Sequence, residues 1–267
     1  MSEENIRSCV LCLGGLDPSG GAGIQADIEA VAATGAHALT VATCLTVQNS
    51  QQALSMHAVD AHLIAQQLDC LLTDMPIHAC KIGVIPNPEV ATIIAAFLSR
   101  LEGIPVVFDP VMSASVGIHF AEQSSWQVIQ QLLLPKVTIC TPNQTELALL
   151  SGLEAMPSRQ AEALFERGLN ALLLTTADAD TVAVKNTLYR PDSDQIEYVW
   201  RRLNAHYHGS GCTLSSALAS RLAQGEKLVN AVEQAQTYVH HSLRQGQALG
   251  QGQHIPHRVQ ANKDTFS

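Results

Sequence analysis

The stretch Val10-Leu11-Cys12-Leu13-Gly14-Gly15-Leu16-Asp17-Pro18-Ser19-Gly20-Gly21-Ala22-Gly23 decides how this chain is read. Val10 to Leu13 is a continuous apolar run, as a fully buried strand requires, and the glycine pair ends it. From Ile24 the apolar residues Ile24, Ile28, Val31 and Ala32 recur at helical spacing until Gly35. Strand, glycine-rich loop and helix in that order open an α/β fold.

The alternation continues outward from there. Apolar β runs at 38–47, 77–83, 104–108, 137–141 and 171–175 are separated by helical patterns at 60–72, 87–101, 125–134, 144–150 and 158–167. Asn87-Pro88 reads as an N-cap followed by proline at the first helical position. Thr181 to Tyr189 and Gln195 to Arg202 read as β segments around the turn Pro191-Asp192-Ser193-Asp194, a small hairpin. A glycine loop at Gly209, a helix to about Leu222 and a helix from Leu228 to Leu243 follow. From Gln245 the chain is rich in Gln, Gly and His and is expected to form a mobile tail.

This pattern predicts a mostly parallel central sheet between two helical layers, αβα, with 1–267 forming a single domain whose core spans about 9–245. Ligands of such sheets bind at the carboxyl ends of the strands. That rule gathers Gly14 to Gly23, Gln48, Gly83-Val84, Asp109 to Met112, Thr141 to Glu146 and the Gly209 loop at one edge.

Composition narrows the function. With 46% hydrophobic and 15% charged residues over 267 positions the chain is no disordered protein, and a net charge of -9 argues against a nucleic-acid footprint. No apolar run approaches the roughly 20 residues of a membrane helix. Met1 to Arg7 is polar and lacks the features of a signal peptide, so a cytoplasmic location is expected. The 7 cysteines do not suggest a disulfide framework. Cys9 and Cys12 lie in an apparent strand, where positions three apart face opposite ways, and no histidine spacing supports zinc.

The chemistry concentrates in Tyr207-His208-Gly209-Ser210-Gly211-Cys212-Thr213-Leu214-Ser215-Ser216-Ala217-Leu218. A tight loop opening a helix near Cys212 leaves backbone N–H groups free to hold an anion, and a helix N-terminus can lower a thiol pKa. Close packing of two backbones, with Cys212 a small buried residue, explains the same letters. Asp109 and Glu146, at strand ends, suit magnesium beside phosphate; alone, each also reads as a turn-former or a first-turn helix acid. Neither glycine loop is a Walker A motif, and a dinucleotide fingerprint is absent. Anion hole, thiol and acids together suggest phosphoryl transfer.

Gly15-Leu16-Asp17-Pro18-Ser19-Gly20-Gly21-Ala22-Gly23-Ile24-Gln25-Ala26-Asp27 resembles the N-terminal signature of the hydroxymethylpyrimidine and phosphomethylpyrimidine kinases of thiamine biosynthesis. The resemblance continues through Val47-Gln48-Asn49-Ser50, Lys81-Ile82-Gly83, Asp109-Pro110-Val111-Met112, Thr141-Pro142-Asn143-Gln144-Thr145-Glu146 and Gly209-Ser210-Gly211-Cys212-Thr213-Leu214-Ser215. It implies a ribokinase-like fold, ATP as phosphoryl donor, Mg2+ and a homodimer. By position it implies that Gly15, Ala22, Asp27, Gln48, Val84 and Val111 serve the pyrimidine. Asn143, Glu146 and Thr175 then serve ATP, with Asp109 and Glu146 at the metal. Gly209, Ser210 and Gly211 form the anion hole, and Cys212 deprotonates the attacking oxygen.

The chain departs from that family's pattern in three cations. Thr175-Thr176-Ala177 stands where Lys-Gly-Gly is common, no lysine occurs from Ser113 to Gly117, and Gln236 replaces a lysine. Lys185, Arg202, His206 and His208 are the candidates to replace them. A pyridoxal or pyridoxine kinase and a non-catalytic pyrimidine sensor are the alternative readings.

Overall fold

The computed structural model describes residues 7–112, 123–177 and 181–259. β1 (Cys9–Leu16) leads into α1 (Gly23–Ala33), followed by β2 (His37–Gln48) and β3 (Ala53–Ala58). Then come α2 (Ala61–Asp74), β4 (Ala79–Ile82), α3 (Pro88–Leu98), β5 (Val106–Phe108), α4 (Gln123–Val128) and β6 (Ile139–Cys140). The chain continues through α5 (Gln144–Ser151), α6 (Pro157–Phe165), β7 (Leu172–Leu174), β8 (Ala183–Tyr189), β9 (Ile196–Arg201), α7 (Ser210–Ala223) and α8 (Leu228–Arg244).

The strands form one 9-stranded sheet in the order β3-β2-β1-β4-β5-β6-β7-β8-β9. From β2 to β7 the pairing is parallel, while β3 closes one edge and the β8–β9 hairpin the other, both antiparallel. The αβα expectation is met, with the predicted hairpin in place.

Alternation along β1 explains the two cores. Cys9, Leu11 and Leu13 face a cluster shared with α2, α3 and the α4–α6 side, whereas Val10 and Cys12 face α1, α7 and α8. Successive side chains of a strand point to opposite faces, and both faces of a parallel sheet are covered here, so the run reads as unbroken apolar sequence. Cys9 and Cys12 are accordingly split between the layers, and both are free thiols. No helix among the described residues is long and apolar enough to cross a membrane.

Several expectations are corrected. Gln48 is the last residue of β2 instead of part of the loop beyond it, and the edge strand β3 is absent from the sequence reading. The helix expected to stop at Pro135 ends at Val128. A π-helical turn, Ile129–Leu133, and a 3-10 turn, Leu134–Lys136, follow, with Pro135 seated in the latter.

The tail is not loose across its described part. Gln247 and Ile255 exchange backbone hydrogen bonds at 2.9 Å, and Pro256 and Arg258 are buried. The polarity that suggested disorder instead serves hydrogen bonds to neighbouring loops.

Candidate active site

Two helix starts meet at the carboxyl edge of the sheet. α1 begins at Gly23 and α7 at Ser210, and neither has a side-chain cap. The Gly23 N–H favours the ionised form of the Cys212 thiol, which places Cys212 beside the start of α1 as well as within the first turn of α7. The approach is close enough to exclude other residues at Gly209, whose φ is 77°. A Cβ there would lie 2.0 Å from Gly21 O and 2.9 Å from Ala22 Cα. Gly209, Ser210 and Gly211 thus stand directly against the 17–23 loop, as the sequence reading required for one shared site.

Asp17 holds that loop in shape. Its carboxylate accepts from Ser19 N (2.8 Å), Ser19 Oγ (2.7 Å) and Ala22 N (2.9 Å), and it pairs with His208 Nε2 at 2.8 Å. Burial opposes its ionisation, but the bonds from His208, Ser19 and Gln48 prevail and hold the carboxyl well below the usual range. Gln48 reaches Asp17 here, which draws the end of β2 into the same group. His208 was weighed in the sequence only as a spare cation; its partner, 191 residues away, carries no local signal.

Below the loops lies a buried charge cluster. Lys81 Nζ donates to Asp27 Oδ1 at 2.8 Å with both side chains fully buried, and Ser216 Oγ donates to the same oxygen at 2.6 Å. Although burial disfavours a charged amine, Asp27 first, then Cys212 and Asp109, hold Lys81 above its ordinary range. Asp27, expected on the substrate side, is fully enclosed as placed and acts on Lys81 and Ser216. The lone lysine in the apolar strand Ala79-Cys80-Lys81-Ile82 was the available signal, since a buried ammonium demands a carboxylate.

Asp109 borders this cluster. Its Oδ2 accepts from Ser215 Oγ at 3.2 Å, and burial raises its pKa against the opposing pull of Lys81, to which Ser215 and the Cys212 thiol add. Cys212 itself departs from expectation. Part of its surface stays open, yet desolvation pushes its thiol up to about 12; Lys81 pulls the other way, and Asp109 and Asp27 add to the rise. The helix terminus therefore does not make a thiolate here; desolvation, reinforced by two buried carboxylates, outweighs it.

Asn143 and Glu146 form a capping box on α5: Glu146 N donates to Asn143 Oδ1 (2.8 Å) and Asn143 N to Glu146 Oε2 (2.9 Å). Asn143 also bridges Thr175, whose N–H donates to Pro142 O at 2.9 Å. Between these residues and Asp109 lies Cys140, the last residue of β6, whose thiol is held above its ordinary range by burial first and then by Glu146 and Asp109. Val84 accepts from Thr43 Oγ1 at 2.7 Å and Val111 N donates to Asp109 O, so both follow strand ends at this edge. Gly15 is buried against Cys44 at the end of β1.

The replacement cations separate clearly. Gln236 is buried and accepts from Asn186 Nδ2 (2.8 Å) and Trp200 Nε1 (3.1 Å), a role no lysine can fill. Lys185 pairs with Glu197 on the hairpin. Arg202 reaches the loop after β7, donating to Ala177 O (2.9 Å), Thr176 O (3.3 Å) and Thr181 Oγ1 (3.0 Å). The segment Ser113 to Gly117 lies outside the described residues.

A family model described as phosphomethylpyrimidine kinase matches residues 17–257. The chain belongs to that family. The hydroxymethylpyrimidine/phosphomethylpyrimidine kinase of Rhizobium meliloti strain 1021 is 34% identical over 259 residues, 93% of this chain and 95% of that one. The solved phosphomethylpyrimidine kinase of Clostridium difficile 630 superposes with a TM-score of 0.74 at 29% identity, covering 86% of this chain and 97% of its own. A Staphylococcus aureus pyridoxal kinase in complex with pyridoxal shares the fold, with a TM-score of 0.87 at 22% identity over 97% of this chain and 96% of its own. Its chain trace adds nothing on substrate choice.

Proposed function

We propose that the chain phosphorylates 4-amino-5-hydroxymethyl-2-methylpyrimidine, and then its monophosphate, with ATP as donor. The observation that carries this reading is the Cys212 junction, where two uncapped helix starts converge and the buried carboxylate of Asp109 packs against the first turn of α7, 3.7 Å from where a Cβ at Gly211 would lie. Helix N-termini stabilise the charge of a transferring phosphoryl group, and the first turn of α7 holds Gly211 and Cys212 at that point. Gln48, Gly15, Ala22, Val84 and Val111 border the pyrimidine. The amide of Gln48 offers a donor and an acceptor, and Asp17 fixes it.

The transferred group forms an O–P bond to the hydroxymethyl oxygen as the bond to the ADP oxygen breaks. The hydroxyl proton passes to Cys212 Sγ while the thiol proton passes to Asp109. A carboxyl raised by burial suits that terminal role. A late proton transfer is sufficient, because phosphoryl transfer places little charge on the attacking oxygen early.

Glu146 is the carboxylate that would hold Mg2+ directly, and Asp109, the proton acceptor, would act on the ion through bound water; Mg2+ is commonly held by one or two carboxylates plus phosphate oxygens. When bound, the ion neutralises the polyphosphate charge. Asn143 and Thr175 line the nucleotide side, and Arg202 supplies positive charge there in place of the family lysine. Residues 1–267 act as one domain in the cytoplasm. Exposed Leu45, Val47 and Leu54 on the β2–β3 edge support a homodimer.

The deciding assay offers the pyrimidine alcohol, its monophosphate and pyridoxal separately, with ATP and magnesium. Turnover of both pyrimidines is expected, with Cys212→Ala lowering kcat about 100-fold or more. Faster turnover of pyridoxal would sink the substrate assignment. Thermal stabilisation by pyrimidine without turnover would identify a sensor. Arg202→Ala should raise KM for ATP and leave KM for pyrimidine unchanged.

A further inference from the structure

The C-terminal segment carries a buried arginine that no part of the reaction scheme yet uses. Arg258 is 1% exposed and is among the largest fully enclosed side chains. Burying a guanidinium is unfavourable unless its donors are satisfied, so its partners show what it is for.

Those partners lie on both walls of the site. Nε donates to Thr213 Oγ1 at 2.8 Å, in the first turn of α7. Nη1 donates to Gly20 O at 3.3 Å and to Glu29 Oε2 at 3.1 Å, and Nη2 donates to Gly21 O. Thr213 follows Cys212 directly, whereas Gly20 and Gly21 belong to the loop that ends at Ala22. One rigid fork therefore spans the gap between the anion-binding helix and the substrate loop. At Gly209 the three segments converge: a Cβ there would lie 2.9 Å from Arg258 Nη2 as well as 2.0 Å from Gly21 O.

The segment that delivers Arg258 is itself anchored. His208 N donates to His254 O and His254 N to His206 O, both at 2.9 Å, and Gln253 N donates to Ser50 O at 2.9 Å, beside Gln48. Tyr238 Oη donates to Arg258 O at 2.9 Å. The tail thus ties the β2–β3 turn, the 17–23 loop and the α7 start together.

We propose that Arg258 is a positioning residue of the phosphotransfer site, setting the separation of the Gly20–Ala22 loop from the Gly209–Thr213 helix start and adding a permanent positive charge behind the anion hole. This rests on the kinase reading above. A neutral or shorter side chain leaves the loops free to part, and misplacement on the order of 1 Å can lower catalysis about 100-fold.

The test compares wild type, Arg258→Ala and Arg258→Lys in steady-state kinetics, thermal melting and amide hydrogen exchange. Arg258→Ala is expected to lose about 10- to 100-fold in kcat. Guanidinium, added well below denaturing concentration, should restore part of that kcat without raising Tm. Arg258→Lys should show a smaller loss that guanidinium does not rescue, because the amine already fills the space. Exchange should quicken in Gly20–Ala22 and Ser210–Cys212 in both variants. Wild-type kcat in either folded variant, or a loss matched by the unfolded fraction and unmoved by guanidinium, overturns the proposal. If Arg258→Ala does not fold, the lysine variant decides. If wild type phosphorylates neither pyrimidine, the kinase reading fails, and unchanged exchange at the two loops is then the result that removes Arg258's role.

Discussion

Lys81 and Asp27 illustrate what a single residue contributes beneath a site. Both are fully buried, and their 2.8 Å contact ties β4 to α1 under the 17–23 loop. Replacing the pair by apolar groups can be nearly neutral, but removing one partner strands the other charge. Lys81→Met is therefore expected to destabilise the fold by about 3–5 kcal/mol in urea denaturation, and Lys81→Met with Asp27→Asn by clearly less. Equal losses in the single and double variants would rule the charge argument out. Cys212 gives a second residue-scale expectation. With its thiol pushed up to about 12, only roughly one molecule in ten thousand holds a thiolate at pH 8. Iodoacetamide should modify exposed Cys70 well before Cys212, as read by peptide mass spectrometry; the reverse order would show a poised thiolate after all. The sequence singled out Cys212 as a candidate site residue because glycine and serine surround it. It misjudged the protonation state because the burial that raises the thiol, and the two carboxylates that add to it, come from parts of the chain distant in sequence.

At the scale of elements, the α5 start shows one motif serving two purposes. Asn143 and Glu146 satisfy each other's backbone N–H groups, which fixes the helix origin and holds both side chains at the start of α5, just after β6. Asn143→Ala should cost about 1 kcal/mol of stability through the lost cap, measured by thermal melting. It should also raise KM for ATP, since the Asn143 amide itself is proposed to line the nucleotide side, while Glu146 keeps the bond it accepts from the residue-143 backbone N–H; Asn143→Ser, which can still cap, should recover most of the stability. Loss of stability with an unchanged KM would assign Asn143 to capping alone. Elements with long periodic patterns, such as α1, α3 and α8, were legible, and Asn87 caps α3 at 2.9 Å from Val90 N as its sequence predicts. β3 was not, because an edge strand pairs on one side only and Ala53 to Ala58 mixes polar and apolar residues. The π-helical turn before Pro135 was equally hidden: it adjusts packing against α3 and leaves no periodic trace.

At the scale of the molecule, parallel topology explains why residues from β1, β4, β5, β6 and α7 meet at one edge, and this part of the site was readable from alternation alone. The contacts that lock the edge were not readable, because they join distant parts of the chain: Asp17 to His208, and Arg258 to Gly20 and Gly21. The Asp17 tie gives a global prediction. The folded carboxyl has a pKa below its unfolded value of about 3.9, so the unfolded chain binds the proton more readily in the acid range. Its contribution is therefore complete above the unfolded pKa and drains away as pH falls through the folded value. Asp17→Asn cannot ionise and lacks that dependence. Urea denaturation from pH 7 down to pH 3 should show wild-type stability falling more steeply below about pH 4 than that of Asp17→Asn, the two curves converging toward acid. Parallel curves over this range would mean that Asp17 is not held ionised by His208, Ser19 and Gln48, and that the two glycine loops are joined by packing and Arg258 alone.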